Sequence, residues 1–209
     1  MPKSMAPPWV MKIDLFHTLF VIGLLLFMGL RMHYFRRAAV EGGRMTVRDS
    51  RFSIVARLVL GIPLAAALVA YMIRPQLLGW AQLDLPDAVR WLGATLVGGG
   101  LLLLVWVQEA LGANFNTILG VRERHTLVTH GPYRWVRHPM YTVLFLYLSG
   151  ILLLSANLLI GGFLLGAFLV TIGTRVAKEE AILQEEYGEA YRAYKARTGR
   201  FWPRLRASA

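Results

Sequence analysis

Residues 138–174 run for 37 positions without a Lys, Arg, Asp or Glu. A run that long cannot coat a water-soluble domain. It is also too long for one membrane crossing, which takes about 20 apolar residues to span roughly 30 Å of hydrocarbon. Ser155-Ala156-Asn157 is its polar interruption, and Asn is a favourable helix N-cap. The pattern predicts a tight hairpin of two apolar helices over 140–154 and 158–174. Each arm measures about 25 Å at the α-helical rise. That is slightly short, so the hairpin is expected to be largely buried in protein or to thin the bilayer locally.

Three more stretches have the length and apolarity of spans. The first covers 13–32; residues 1–8 show no basic region followed by a small-residue cleavage site, so it reads as a retained span and not a signal peptide. The second covers 54–73, with Pro63 expected to kink it and Arg57 near one end, where it can snorkel. The third covers 91–109 and carries Gly98-Gly99-Gly100, which allows close backbone approach or a local break. Only 17% of residues are charged and mean hydropathy is +0.49, whereas soluble domains carry about 25% charge. A soluble globular enzyme, a disordered chain and a coiled coil are excluded as the main reading. The absence of cysteine removes disulfides, thiolate metal sites and a cysteine nucleophile.

The net charge of +11 is distributed by topology. Seven basic residues fall in 31–57, four in 113–139 and eight in 174–209, against Lys3, Lys12, Arg74 and Arg90 elsewhere. This 19-to-4 asymmetry alternates correctly for five spans with the N-terminus outside and the C-terminus in the cytoplasm. No basic stripe with interleaved stacking aromatics stands apart from the loops, so no nucleic-acid partner is expected. The expected fold is an all-α integral membrane protein, one domain over 1–209, with five transmembrane helices and a C-terminal cytoplasmic amphipathic helix in the 175–209 tail.

Two cytoplasmic segments are unlike membrane packing. One is 111–141, with Asn114, Asn116, His125, His130, a Gly131-Pro132-Tyr133 turn and Arg137-His138-Pro139 at the mouth of the fourth span. Pro139 disfavours helix at His138 and suits the first turn of the next helix, so Arg137 and His138 are held in a non-helical approach to it. Taken alone, an Arg-His-Pro is most simply an interfacial anchor. The histidines have no recognisable ligand spacing and no nearby carboxylate, so no metal is expected. The other segment is 174–203. Arg175 and Glu179 are four apart and share a helix face. Glu180 is turned about 100° from Glu179, so the two carboxylates are not expected to face one partner closely. Glu185, Glu186, Glu189, Arg192 and Lys195 read as a solvated face. The hairpin brings these segments together as a polar pocket of both charge signs at a membrane surface. Such a pocket suits a zwitterionic, sulfonium- or phosphate-bearing small molecule and opens towards lipid.

The run His125-x-Leu-Val-Thr-x-Gly131-Pro132-Tyr133-x-x-Val136-Arg137-His138-Pro139-x-Tyr141, a hydrophobic hairpin, and then Arg175, Glu179-Glu180, Leu183, Tyr187-Gly188, Tyr191, Tyr194 and Arg197 together resemble the isoprenylcysteine carboxyl methyltransferase family and related membrane phospholipid methyltransferases. The resemblance covers roughly the C-terminal half. Phe115-Asn116 stands where relatives often have Trp-Ser, and Gln108-Glu109 where a basic residue is common, departures on the side expected to meet the methyl acceptor. The resemblance implies an integral membrane methyltransferase using S-adenosylmethionine and a lipid-like or prenylated acceptor arriving from the bilayer. It implies Arg137, His138 and Arg175 as catalytic positions. Val128, Gly131, Tyr133, His138, Tyr141, Glu179 and Glu180 would bind the cofactor, and Glu109, Asn114 and Asn116 the acceptor. Three rival readings stand beside it: a phospholipid N-methyltransferase, an NADPH-dependent membrane sterol or lipid reductase, and a non-catalytic lipid-binding protein. The Glu179-Glu180 pair disfavours the reductase, because a phosphorylated dinucleotide prefers basic residues there.

Overall fold

The computed structural model describes residues 15–41, 45–47, 51–114, 120–122 and 126–204. Five helices carry the fold: α1 (Leu15–Glu41), α2 (Arg51–Ile73), α3 (Asp87–Leu111), α4 (Pro139–Ser155) and α5 (Phe163–Arg197). A short antiparallel ribbon pairs β1 (Met45–Val47) with β2 (Gly120–Arg122).

The central unit is the antiparallel pair α3–α4, and glycine sets its spacing. A Cβ on Gly93 would lie 2.5 Å from the Leu154 nitrogen, and one on Gly150 would lie 2.8 Å from the Val97 nitrogen. Small residues here let two backbones approach as they do in membrane helix pairs. Of the Gly98–Gly100 triplet only Gly100 packs closely, where a Cβ would lie 3.1 Å from Tyr147 Cβ; a Cβ on Gly98 or Gly99 would meet nothing within 4 Å, and the helix runs unbroken through all three. Helix α1 lies along this pair. Tyr147 stacks on Phe27 with ring centroids 4.4 Å apart and donates its hydroxyl to the Gly23 carbonyl at 3.1 Å. Phe20, Tyr71, Val97, Ile151, Leu154 and Ile160 complete the buried cluster around it.

The expected hairpin turn is present. Helix α4 ends at Ser155, Ala156 turns with φ +47, and Asn157 caps the returning segment by accepting the Ile160 N–H at 3.1 Å. The Asn157 amide also donates to the Leu78 carbonyl at 2.8 Å, and the Leu83 N–H donates to the Ala156 carbonyl at 2.6 Å. This ties the α2–α3 connection to the α4–α5 turn, so both lie at one end of the bundle. The β1–β2 ribbon ties the α1–α2 and α3–α4 connections together at the other.

Helix α5 departs from expectation. It does not end with the membrane segment at Thr174 to give way to a separate helix; it continues to Arg197, with its break at Gly188 (φ +51). Nothing in 174–187 stops a helix, because Lys, Glu, Ala, Leu and Gln all favour one. Gly188 adopts left-handed backbone where other residues are strained.

Among the described residues, three helical stretches are long and apolar enough to cross a membrane: Leu15–Glu41, Asp87–Leu111 and Leu158–Arg197. A fourth arises if Gly61–Ile73 and Pro75–Ala81, bent by 113°, make one broken span. Helix α4 has 17 residues, about 25 Å at the helical rise. The outward faces are apolar, with Leu25, Ile62, Leu102 and Val170 more than half exposed. Trp91 and Trp106 stand half-exposed on α3, separated by about 22 Å of helix, as in interfacial aromatic belts.

Candidate active site

The position of His138 is set by the proline beside it. Pro139 is the first residue of α4, and His138 precedes it with φ −125 and ψ 55, outside the helix. The turn Gly131–Arg134 forms as expected, with Gly131 at φ +56 and close against Ala110 of α3. The Arg-His-Pro approach is then clamped by backbone. The Arg137 and His138 N–H groups donate to the Gly199 and Arg200 carbonyls at 2.8 and 3.0 Å, and the Gly199 N–H donates back to Trp135 at 3.1 Å. Tyr194 donates to the Tyr133 carbonyl at 2.7 Å, and Thr142 to the Phe201 carbonyl at 3.0 Å.

The two motifs meet at Glu179 and Glu180. Glu180 is buried, and its oxygens accept from Arg137 Nε at 3.2 Å and from Arg200 Nε and Nη2 at 3.1 and 2.8 Å; Lys195 Nζ stands 3.4 Å away. Burial alone would raise the Glu180 carboxyl, but the hydrogen bonds from Arg200 and Arg137 outweigh it and hold the group at about 2. Glu179 is less enclosed. It accepts from the Tyr141 hydroxyl at 2.8 Å and from Arg175 Nε at 2.9 Å.

The imidazole of His138 lies between the two carboxylates, with Nδ1 3.7 Å from Glu179 and Nε2 3.4 Å from Glu180. Both carboxylates thus face one ring, but only Glu180 lies within hydrogen-bonding distance of it, as the 100° turn between them leads one to expect. Burial lowers the His138 pKa despite both carboxylates and favours the neutral ring. A neutral ring donates one N–H and accepts at its other nitrogen, so it serves only one carboxylate at a time as donor.

The remaining positions fall in several places. Val128 and Tyr133 are buried with Leu104, Val107 and Val143 beneath the loop, and Gly131 spaces that loop from α3. Arg137 sits inside the clamp, its Nη1 donating to the Lys195 and Thr198 carbonyls. Arg175, Tyr141 and Glu179 form the open edge. Glu109 is not brought to this edge: it accepts from Tyr34 at 2.7 Å and Arg37 at 3.0 Å on the flank of α1. Asn114 clasps Thr126, accepting its N–H at 2.8 Å. Asn116, Phe115 and His125 lie outside the described residues. Sequence reasoning missed Arg200, Thr198 and the pairing of Lys195, which had read as solvated. Carbonyl acceptors in a tail leave no side-chain signature, though the Arg-rich stretch before Pro203 hints at charge needed near the membrane.

Beside the clamp lies an apolar cavity of about 310 Å³, walled by Leu103, Trp106, Val107, Pro139, Val143 and Phe201 among others. Fold and site together define a multi-pass helical membrane protein with a two-signed cluster of polar side chains at one end of its bundle. Residues 92–185 match the model of the isoprenylcysteine carboxyl methyltransferase (ICMT) family; the segment holds Arg137-His138-Pro139, Arg175 and Glu179-Glu180, and the resemblance carried by the two motifs is thereby shown. Protein-S-isoprenylcysteine O-methyltransferase of Mus musculus is 32% identical over 127 residues, 56% of this chain and 42% of that protein. The Homo sapiens protein of the same name is 31% identical over 131 residues, with the same two shares. The cobalt-zinc-cadmium resistance protein CzcN of Cupriavidus metallidurans is 33% identical over 84 residues, 40% of this chain and 38% of that one. The chain thus spans less than half the length of these curated relatives. A solved structure of the eukaryotic intramembrane Ras methyltransferase ICMT superposes with a TM-score of 0.55 over 94% of this chain and 68% of the other, at 20% identity. That likeness shows the fold.

Proposed function

We propose that this chain is an integral membrane methyltransferase that uses S-adenosylmethionine to methylate the carboxylate of a prenylated or similarly lipidated acceptor. The observation that carries the reading is the Tyr141–Glu179–Arg175 edge, in which residues of both family motifs meet beside His138 at the end of an apolar bundle. The donor set fits the cofactor: Glu179 offers a carboxylate to a cation or to ribose hydroxyls, and Arg175 and its neighbours offer donors to a carboxylate. When bound, S-adenosylmethionine supplies an activated methyl group on a sulfonium sulfur.

The protein's own task is alignment and exclusion of water. A carboxylate acceptor attacks through an oxygen already deprotonated at pH 7, so no general base is needed. Held beside Glu179 and Arg175, S-adenosylmethionine would supply its methyl group to that oxygen, and Tyr141, Glu179 and Arg175 would have only to align the two and keep water out. His138 then helps to hold Glu180 and is not called on to move a proton. The acceptor reaches the site through the bilayer, with all five helices crossing, the residues before α1 outside and the tail after α5 cytoplasmic.

The test is incubation in lipid vesicles with methyl-labelled cofactor and a farnesylated cysteine derivative, followed by extraction. Label released by base as methanol is expected. Base-stable label in the phospholipid fraction identifies an N-methyl product and contradicts the carboxyl reading, and label confined to water-soluble products contradicts delivery from the bilayer.

A further inference from the structure

The apolar cavity beside the clamp, of about 310 Å³, falls at the lower end of the range of ligand sites, about 300 to 1,000 Å³. It lies between α3, the Gly131–Arg134 turn, the start of α4 and the tail, and it opens outward: of its walls, Leu103, Trp106, Trp135 and Trp202 are each more than a third exposed. It is not part of the Glu179 edge, because Tyr141, Arg175 and Glu179 do not line it. The two part company within the first turn of α4. Tyr141 donates to Glu179, while Thr142, turned about 100° from it, lines the cavity and donates to the Phe201 carbonyl. The His138 ring stands between, its centroid 5.7 Å from that of Tyr141 and 6.0 Å from that of Phe201.

Tryptophans around the opening fix its depth. Trp106 and Trp135 meet edge to face at 5.8 Å, and Trp202 of the tail is 69% exposed. Exposed tryptophans sit at the headgroup level of a bilayer, so a chain entering the cavity from lipid leaves its headgroup at this rim. The charge there is positive. The Arg134 guanidinium is exposed, lies 3.9 Å over the Trp135 ring and pairs with no carboxylate among the described residues. Arg37, Arg137, Arg175, Arg192 and Arg200 differ in that each is held by a glutamate. Arg204 springs from the same edge of the cavity as Arg134. It follows the wall residue Pro203, its backbone nitrogen would lie 3.2 Å from a Cβ on Gly199, and the Gly199 N–H donates to the Trp135 carbonyl at 3.1 Å. Its Nη1 donates to the Ala196 carbonyl. Residues 190–204 contain no Asp or Glu to offset this charge.

We propose that this cavity docks one anionic phospholipid of the bilayer, with an acyl chain against Leu103, Val143 and Phe201, the phosphate on Arg134, and Arg204 adding to the local field. The apolar walls alone select no lipid, because hydrocarbon is as apolar as they are. Selection comes from the rim, where an arginine near an anionic headgroup is worth about fivefold in binding. A zwitterionic lipid brings its own cation to the same rim and gains less. An occupied cavity also backs the clamp, since its walls Pro139 and Phe201 lie on either side of His138. The site stands whether or not the protein transfers a methyl group.

The experiment is native mass spectrometry of the full chain in detergent, titrated with phosphatidylglycerol and separately with phosphatidylcholine of the same acyl chains, with melting temperature measured alongside. The proteins are wild type, Arg134→Gln, Leu103→Trp and Arg192→Gln. Wild type is expected to bind one phosphatidylglycerol about fivefold or more tightly than phosphatidylcholine and to melt higher with it. Arg134→Gln is expected to lose that preference, and Leu103→Trp, which fills the opening from an exposed wall, to lose the bound lipid. Arg192→Gln removes the same charge from a residue that does not line the cavity and is expected to bind as wild type does. Equal binding of the two lipids by wild type, a preference that Arg134→Gln keeps, an equal loss in Arg192→Gln, or one lipid still held by a folded Leu103→Trp would each overturn the site. If Leu103→Trp does not fold, Arg134→Gln decides, because it changes an exposed side chain. Displacement of the bound phosphatidylglycerol by N-acetyl-S-farnesylcysteine would assign the cavity to the acceptor's chain and overturn the phospholipid assignment.

Discussion

Glu180 and Arg200 are twenty residues apart and joined by two hydrogen bonds, at 3.1 and 2.8 Å. The pairing folds the tail back beneath its own helix, where the Gly199 and Arg200 carbonyls hold Arg137 and His138. Glu180 is therefore the hub of the clamp, and Glu179 is the carboxylate that faces outward.

Removing the hub is expected to damage the fold more than the chemistry. Glu180→Gln leaves Arg137 buried without its counter-charge, and breaking one partner of such a pair costs about 3–5 kcal/mol. Thermal melting in detergent checks this. Glu189→Gln is the control: its pair with Arg192 is exposed, and surface pairs contribute about 0–1 kcal/mol.

Acid should release the same clamp. Glu180 is held at about 2 in the fold and returns to about 4.3 when unfolded. In that window the unfolded chain binds the proton and the folded chain does not. The stabilisation is complete above about pH 4.5 and is lost as pH falls towards 2. A melting-temperature series from pH 7 to pH 3 should fall in its acidic part for wild type and be flatter there for any Glu180→Gln protein that folds.

The α3–α4 contact separates two glycines that look alike in sequence. Gly93→Ala drives a methyl into the Leu154 backbone and should destabilise by about 1–3 kcal/mol. Gly98→Ala meets nothing within 4 Å and should stabilise by up to about 1 kcal/mol through helix propensity. Parallel melting curves of the two variants decide the point.

Much of this was legible from the sequence. The Ser155-Ala156-Asn157 turn announced itself because a polar tripeptide inside 37 uncharged residues has little use except to reverse the chain. Pro139 likewise fixed the boundary at His138. The clamp was not legible, because it consists largely of tail carbonyls that any residue supplies. Gln108 and Glu109 are adjacent, and only the packing of α1 against α3 shows that Glu109 meets Tyr34 and Arg37 while Gln108 is buried.

Membrane topology is set by the two ends of the bundle. Reporter fusions after residues 43, 125 and 209 should report cytoplasm, and those after 82 and 156 the opposite side. Asn157 and Leu78 are hydrogen-bonded, so the 82 and 156 fusions must agree. A cytoplasmic signal at 156 would contradict a membrane-crossing hairpin.

The central claim is that the Glu179 edge binds S-adenosylmethionine. The most direct measurement is calorimetric titration of the chain in lipid nanodiscs with S-adenosylmethionine and, separately, with NADPH, for wild type and Glu179→Gln. Saturable binding of S-adenosylmethionine alone is predicted, weakened about 10- to 150-fold by the substitution, as the loss of one charged hydrogen bond requires. Binding of NADPH in its place, or S-adenosylmethionine affinity that Glu179→Gln leaves unchanged, would contradict the account.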